Sequence, residues 1–304
     1  MEWSDLKQLD RLIQQTEVLG AHVEEIGISG DGRSLYGVTV GDPQASRTVV
    51  IIAGLHGAEI IAPLTAVSLL QTFNPRSFPD VRLCIVPVAD PECVAHNAHE
   101  LPETVTLQAL LKLNHQRDLE GHFMADTYPE CVAIRQWIAQ FDHIEAYFSL
   151  HSAHCISPGL FFYVGQTSNP SWVSQVAEQV AAATPDWIPL LRQDPTGLSQ
   201  KMLASGFFEL EIPNIQALEG PAPGSSLAFV AHHFRPYYLA APEMPLAICP
   251  ALAHACLAEI DQCNRDFRET GSIHSLVKAI DLKTQIHIMK SWILSVFEQV
   301  QAAK

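Results

Sequence analysis

Thr48-Val-Val-Ile-Ile-Ala-Gly-Leu-His56-Gly-Ala-Glu59 decides how this 304-residue chain is read. The unbroken apolar run in it, rich in β-branched residues, has strand length and reads as a strand buried on both faces of a sheet. His56 stands where that strand ends, Gly57 allows a tight turn, and Glu59 falls in the first turn of the apolar helix that follows. A histidine and a carboxylate placed across a strand-to-helix turn point into the crevice at the carboxyl end of an open α/β sheet, where ligands bind. Glu59 lies beside Ile60 and Ile61, and a carboxylate so close to a core is costly unless something pairs with it. A helix amino terminus helps a little and a divalent cation far more. The pair reads as half of a metal site.

Outward from this stretch, strands and helices alternate. Leu6, Leu9, Leu12 and Ile13 give residues 4–19 a helical period, and Gly20 supplies the stop. Strands over 23–28 and 34–40 flank Gly30-Asp31-Gly32-Arg33 and predict a β-hairpin. A helix over 58–73 ends at Asn74-Pro75, and 81–88 is the next buried strand. Residues 93–127 lack periodicity and read as a long functional loop. Pro129 opens a helix to about residue 141, and Ala146-Tyr-Phe-Ser-Leu-His151 is a strand that ends in a histidine. A strand over 159–164, a helix over 172–183 and a strand over 206–213 follow. The last carries Glu209 and Glu211 two residues apart, hence on one face. Phe161-Phe162-Tyr163 reads as core, and His154 as a polar residue on the rim. Two helical patterns, 250–266 and 285–301, close the chain. The economical architecture is one α/β domain over 1–304, with a helix in 1–20 and a helical segment in 250–304 packed on it.

Composition bounds the function. With 48% hydrophobic and 17% charged residues the chain can bury a sizeable core. A formal net charge of −15, with 18 Lys and Arg spread along the chain, argues against a nucleic-acid partner and against anionic membranes. No segment approaches the roughly 20 apolar residues of a membrane helix, and the polar, acidic first ten residues lack the order of a secretory signal, so a cytoplasmic location is expected. The 7 cysteines include no Cys-x-x-Cys pair, so neither a disulfide framework nor a zinc knuckle is indicated. Cys249, Cys256 and Cys263 recur every seven residues and read as a buried helical stripe. No Gly-x-Ser-x-Gly elbow is present, which disfavours serine nucleophile chemistry.

Three strand ends thus present His56 with Glu59, His151, and the pair Glu209 and Glu211. Two histidines and one carboxylate are the ligand set of hydrolytic zinc sites. A further glutamate on a neighbouring strand can serve as the base such a site needs.

At this point the chain resembles the zinc carboxypeptidase family, the group of carboxypeptidase A, and more distantly its succinylglutamate desuccinylase and aspartoacylase branch. Ile26 to Tyr36 looks like the family's first hairpin, and His56-Gly-Ala-Glu59 like its first ligand motif. Pro87-Val-Ala-Asp-Pro-Glu92 is similar to its Asn-Pro-Asp loop, Tyr128-Pro-Glu130 to the element before the next ligand strand, and Ser149-Leu-His151-Ser152 to that strand. The resemblance covers about residues 20–215. It implies a three-layer α/β/α fold with a central mixed, mainly parallel sheet, of the phosphorylase/hydrolase-like kind. It also implies one Zn2+ per chain held by His56, Glu59 and His151.

The resemblance implies a catalytic glutamate as well. Phe208-Glu209-Leu210 is similar to one form of the family's last motif, and Leu210-Glu211-Ile212-Pro213 to another; Glu211 is preferred, with Glu209 the alternative. Asn114-His-Gln-Arg117 stands where the family shows an Asn-Arg pair, which puts Arg117 and Asn114 at the substrate's carboxylate. No second arginine is left for the oxyanion, so His96, His99, His115 or the metal remain open for that role. Ser149 departs from the aspartate often found there. The expected activity is hydrolysis of an amide bond next to a carboxylate, with a peptide as substrate. The alternatives are an N-acyl amino acid amidohydrolase with the same metal site, or a zinc-binding homologue without turnover.

Overall fold

The computed structural model describes residues 1–153, 155–166, 168–199, 201–212, 224–271 and 276–303. Its organising element is the predicted one. Strand β3, Arg47–Ala53, is buried from Thr48 onward, because its β-branched residues pack on both faces. Val49, Ile51 and Ala53 enter one core cluster and Val50 and Ile52 the other, so the period of two divides the protein into layers.

The strands are β1 (His22–Ile28), β2 (Ser34–Val40), β3, β4 (Val81–Val86), β5 (Ala146–Leu150), β6 (Ile156–Ser157), β7 (Phe161–Gly165), β8 (Met202–Ala204), β9 (Phe207–Leu210), β10 (Tyr238–Glu243), β11 (Ala247–Ile248) and β12 (Lys278–Ala279). Nine form one sheet in the order β1-β2-β4-β3-β5-β10-β7-β9-β8, and β12-β11-β6 form a small second sheet. Strands β4, β3, β5 and β10 run parallel side by side. The first hairpin is antiparallel, as are the β2/β4, β10/β7 and β8/β9 pairs.

On one face lie α2 (Ile61–Thr72), α6 (Pro170–Ala183) and α9 (Leu282–Ala302); on the other lie α5 (Pro129–Ile138) and α7 (Ser226–Phe234). The long α9 is anchored at its middle and at its C-terminal end. Trp292 Nε1 donates to Tyr238 Oη at 3.0 Å beneath β10, and the Arg47 guanidinium donates to the carbonyls of Val300, Gln301 and Ala303, satisfying the last turn. The three-layer α/β/α architecture with a mixed, mainly parallel sheet is therefore observed.

Three expectations are corrected. Residues 93–127 are not one loop, since α3 (Pro91–Glu100) and α4 (Leu107–Leu111) lie within or overlap that stretch. Asp90 caps α3 by accepting from Cys93 N at 3.1 Å, with Pro91 at the first position. The helical pattern near 250 begins later, as α8 (Leu257–Thr270). Cys249 precedes it, exposed Cys256 is its N-cap and Cys263 is half-buried, so the three thiols form no buried stripe. In addition, Tyr238-Leu-Ala-Ala-Pro-Glu243, a stretch given no element above, is a full strand of the central sheet.

Candidate active site

The neighbours β3, β5 and β10 end at one edge of the sheet. Just beyond β3, Glu59 N bonds the His56 carbonyl at 3.0 Å, which closes the turn and brings both side chains to the same side. Gly57 permits this through space rather than dihedral freedom: a Cβ there would stand 2.2 Å from Cys93 Cβ. Asn97 of α3 fixes the turn from outside, donating to the carbonyls of Gly57 at 2.8 Å and His115 at 2.7 Å.

His56, Glu59 and His151 converge, with one ligand atom from each within 4.8 Å of the others. Both Nδ1 atoms face the Glu59 carboxylate at 2.9 Å, His56 on Oε1 and His151 on Oε2, and Ser152 N donates to Oε2 at 3.0 Å. The outer nitrogens are held as well. His56 Nε2 meets Asp118 Oδ1 at 3.2 Å, and a carboxylate can only accept, so Nε2 carries the proton. His151 Nε2 meets Ser149 Oγ at 2.9 Å, while that hydroxyl donates to Glu120 Oε2 at 3.1 Å. The hydroxyl hydrogen is thereby committed to Glu120, and Ser149 accepts from the ring. Each ring is thus held at both nitrogens, Nδ1 by the Glu59 carboxylate and Nε2 by an outer partner of the kind that orients metal-binding histidines. Ser149 links the ring to the carboxylate of Glu120, which Ser226 at the start of α7 also grips through N and Oγ.

The electrostatics are those of a cation site. Burial opposes the charge of Glu59, yet His151 and His56 outweigh it and hold the carboxyl down at about 2. Burial likewise works against charge on Glu120, and His151 and Ser226 keep it below the usual range. Burial acts against protonation of His151 too, but Glu59 and Glu120 raise it well above its ordinary value. Five carboxylates, Glu59, Asp118, Glu120, Glu243 and Asp261, border the same cavity of about 720 Å3.

Glu243 is the residue that the sequence reading missed. It ends β10 in register with His151 on β5, as an isolated parallel bridge. The pairing of Leu239 with Tyr147 puts both residues on the face that carries Ser149 and Ala241. Burial, reinforced by the charge of Glu59, pushes the Glu243 carboxyl up to about 7 against the opposing pull of His151 and His56. Its signal was present: an apolar run closed by an ionisable residue, laid out like 146–151. Pro242 inside the run reads against a central strand, but it falls beyond the last ladder pairs of β5 and β10.

The two glutamates expected as the base stand elsewhere. Glu209 is in register with Val164, whose side chain lies in the core on the face away from the cavity, and it is paired with Lys201 at 2.6 Å. Glu211 follows two residues later and is exposed. Neither borders the cavity. On β7 the positions that border the cavity are Phe161 and Tyr163, and Phe208 of β9 packs with them, so Glu209, the next residue along β9, falls on the opposite face. Phe161, Phe162 and Tyr163 are all buried in the core, as expected, and Phe161 and Tyr163 also border the cavity.

Arg117 does border the cavity, but its Nε and Nη2 are engaged. Nε and Nη2 bond the Asp90 carboxylate at 3.1 and 2.6 Å, and Nη2 also bonds Glu130 Oε1 at 2.8 Å. Both carboxylates are fully buried, and Asp90 and Glu130 hold the guanidinium firmly charged against the cost of burial. Asn114 is exposed and apart from the site. His96 and His115 stack on each other at 4.0 Å on the surface, and His99 is exposed on the same helix as His96, so none of the three reaches the cavity. His154 and the stretch from Pro213 lie outside the described residues.

The sequence model of the zinc carboxypeptidase family matches residues 9–89, which include His56 and Glu59. No curated protein sequence matches the chain. Among solved structures, a metallo-carboxypeptidase from Burkholderia cenocepacia is 16% identical, with 95% of this chain and 67% of that one covered, at a TM-score of 0.60. A metallo-carboxypeptidase from Pseudomonas aeruginosa, in complex with (2-guanidinoethylmercapto)succinic acid, is 16% identical over 96% of this chain and 68% of its own, with a TM-score of 0.59. Bovine thrombin-activatable fibrinolysis inhibitor, in complex with tick carboxypeptidase inhibitor, is 12% identical over 96% of both chains, again at 0.59. No helix among the described residues is long and apolar enough to cross a membrane.

Proposed function

For a chain with the fold of the zinc carboxypeptidases, matching that family's sequence model over residues 9–89, we propose a zinc-dependent hydrolase that cleaves an amide bond next to a carboxylate. The observation that carries this reading is the convergence of His56 Nδ1, His151 Nδ1 and the Glu59 carboxylate, with the far nitrogen of each ring held by an outer partner. A zinc ion held by these three residues would supply Lewis acidity toward a carbonyl oxygen and would lower the pKa of a water.

The chain's own residues supply the rest. Glu243, on the strand next to His151, takes a proton from the attacking water at its carboxylate and returns it to the leaving nitrogen. The combination of burial and the Glu59 charge that lifts its carboxyl suits it to both halves of that transfer. Asp118 and the Ser149–Glu120 pair orient the two imidazoles. Arg117 has an architectural part, tying α3 and α5 through Asp90 and Glu130.

The test is metal content together with turnover. Protein reconstituted with zinc should hold about one ion per chain and hydrolyse blocked peptides with a free terminal carboxylate. His56→Ala and His151→Ala should lose both properties. Hydrolysis that persists in a chelator, or in either variant, would refute the reading.

A further inference from the structure

The arginines that border the cavity, among the described residues, are Arg117, Arg265 and Arg268. The first is committed to two buried carboxylates. The others stand one turn apart on α8 and so share a face of that helix. Arg268 is half-buried and Arg265 exposed, and Arg265 Nη2 donates to Gln262 Oε1 at 2.8 Å. Asn264 fixes the height of this face. Its buried amide accepts from Ile156 N at 2.7 Å and donates to Ile156 O at 2.9 Å, riveting α8 to β6. Next to β6, the Cys155 thiol is pushed up to about 12 by burial and by Glu243, against the pull of Arg268. Cys155, Glu243 and Arg268 all border the cavity.

The rest of the wall is hostile to an anion. Glu59, Asp118, Glu120, Glu243 and Asp261 all border it, and the whole chain carries a formal charge of −15. α8 brings Asp261 as well as two guanidinium groups to this wall, and the planar fork of a guanidinium suits a substrate carboxylate. We propose that Arg265 and Arg268 of α8 bind the substrate's free carboxylate and so restrict the site to amides that end in one. This rests on the reading of the cavity as an amide-hydrolase site, and moves the specificity determinant from the Asn114–Arg117 segment to the C-terminal part of the chain.

Calorimetric titration of the full chain, with zinc and with a chelator, tests it. The probes are an N-acetyl dipeptide acid, its carboxamide, and the acid and carboxamide of an N-acetyl amino acid. At least one acid should bind about tenfold or more tighter than its carboxamide. Arg268→Gln and Arg265→Gln should each shrink that preference, and together abolish it, with the carboxamide affinity unchanged. Arg268→Lys should restore part of it. Whether the dipeptide or the acyl amino acid shows the larger preference identifies the source of the carboxylate. Equal affinity of acid and carboxamide, no binding of either acid, or a preference that survives the double change would overturn the proposal. A preference that depends on the arginines in a protein without hydrolytic activity would leave it standing and refute the proposed function instead.

Discussion

Glu243 stands directly beside His151: the two residues form the last bridge between strands β10 and β5, with their side chains on one face of the sheet. A carboxyl and an imidazole one strand spacing apart, roughly 5 Å in a regular sheet, are close enough to act on one small group. That adjacency is why Glu243, rather than the other glutamates that border the cavity, is proposed as the proton carrier, and it sets several expectations.

The Asp90–Arg117–Glu130 cluster should behave as structure. Arg117→Met leaves two buried carboxylates without their cation, and the expected loss is about 3 kcal/mol of folding stability. Urea unfolding of the metal-free protein measures it. A variant of unchanged stability whose only defect is a raised KM would return Arg117 to the substrate.

In the metal-free protein, the Glu243 carboxyl is lifted to about 7 by burial and the Glu59 charge, above the ordinary glutamate value of about 4.3. The folded state then holds a proton that the unfolded chain releases. Its contribution is fully present below the unfolded value and is lost as pH rises through 7, by on the order of 3 kcal/mol. Glu243→Gln should therefore be close to wild type in stability near about pH 4 and more stable near about pH 8. Unfolding curves in chelator at the two pH values check the sign, and a difference that does not change with pH contradicts it.

Gly57→Ala should damage the site without touching a ligand. The added methyl meets Cys93 at 2.2 Å, so the turn between His56 and Glu59 must shift away from α3. Zinc affinity is expected to fall by about tenfold or more, the scale seen when the residues that orient metal ligands are disturbed. A competition titration with a fluorescent zinc chelator reads it; an unchanged affinity would mean the turn tolerates the displacement.

Thiol chemistry offers an independent check of the core. Cys84, Cys93 and Cys131 are buried, and burial pushes each up to about 12, so they should resist a chromogenic disulfide in the native state. Exposed Cys256 should react first, and Cys256→Ser should remove the fast phase. Rapid labelling of Cys84 in folded protein would show that the sheet's second face is open.

Much of this was legible before any coordinates. The β-branched run at 48–53 needed no tertiary context, because a strand buried on both faces announces itself by its lack of alternation, and the histidines at two strand ends followed from it. The base was not legible in the same way. Glu209, Glu211 and Glu243 all close apolar runs, and which of them faces the metal depends on strand order and on parity across the sheet. Those are set by how β7, β9 and β10 pair. Arg117 was expected at the substrate's carboxylate; its partners Asp90 and Glu130 lie 27 and 13 residues away in sequence, so the pairing was not visible there. Asp118 and Glu120 followed Arg117 in plain view. Only the fold shows that they hold the far nitrogen of one imidazole and the serine beside the other.

The most direct test of the account compares three glutamine variants, at Glu243, Glu209 and Glu211, for zinc content and for kcat on a blocked peptide with a free carboxylate. Glu243→Gln should keep its zinc and lose about 100- to 10,000-fold in kcat, while Glu209→Gln and Glu211→Gln should turn over like wild type. Full activity in Glu243→Gln, or a comparable loss in either of the other two with zinc retained, would contradict the placement of the base beside His151.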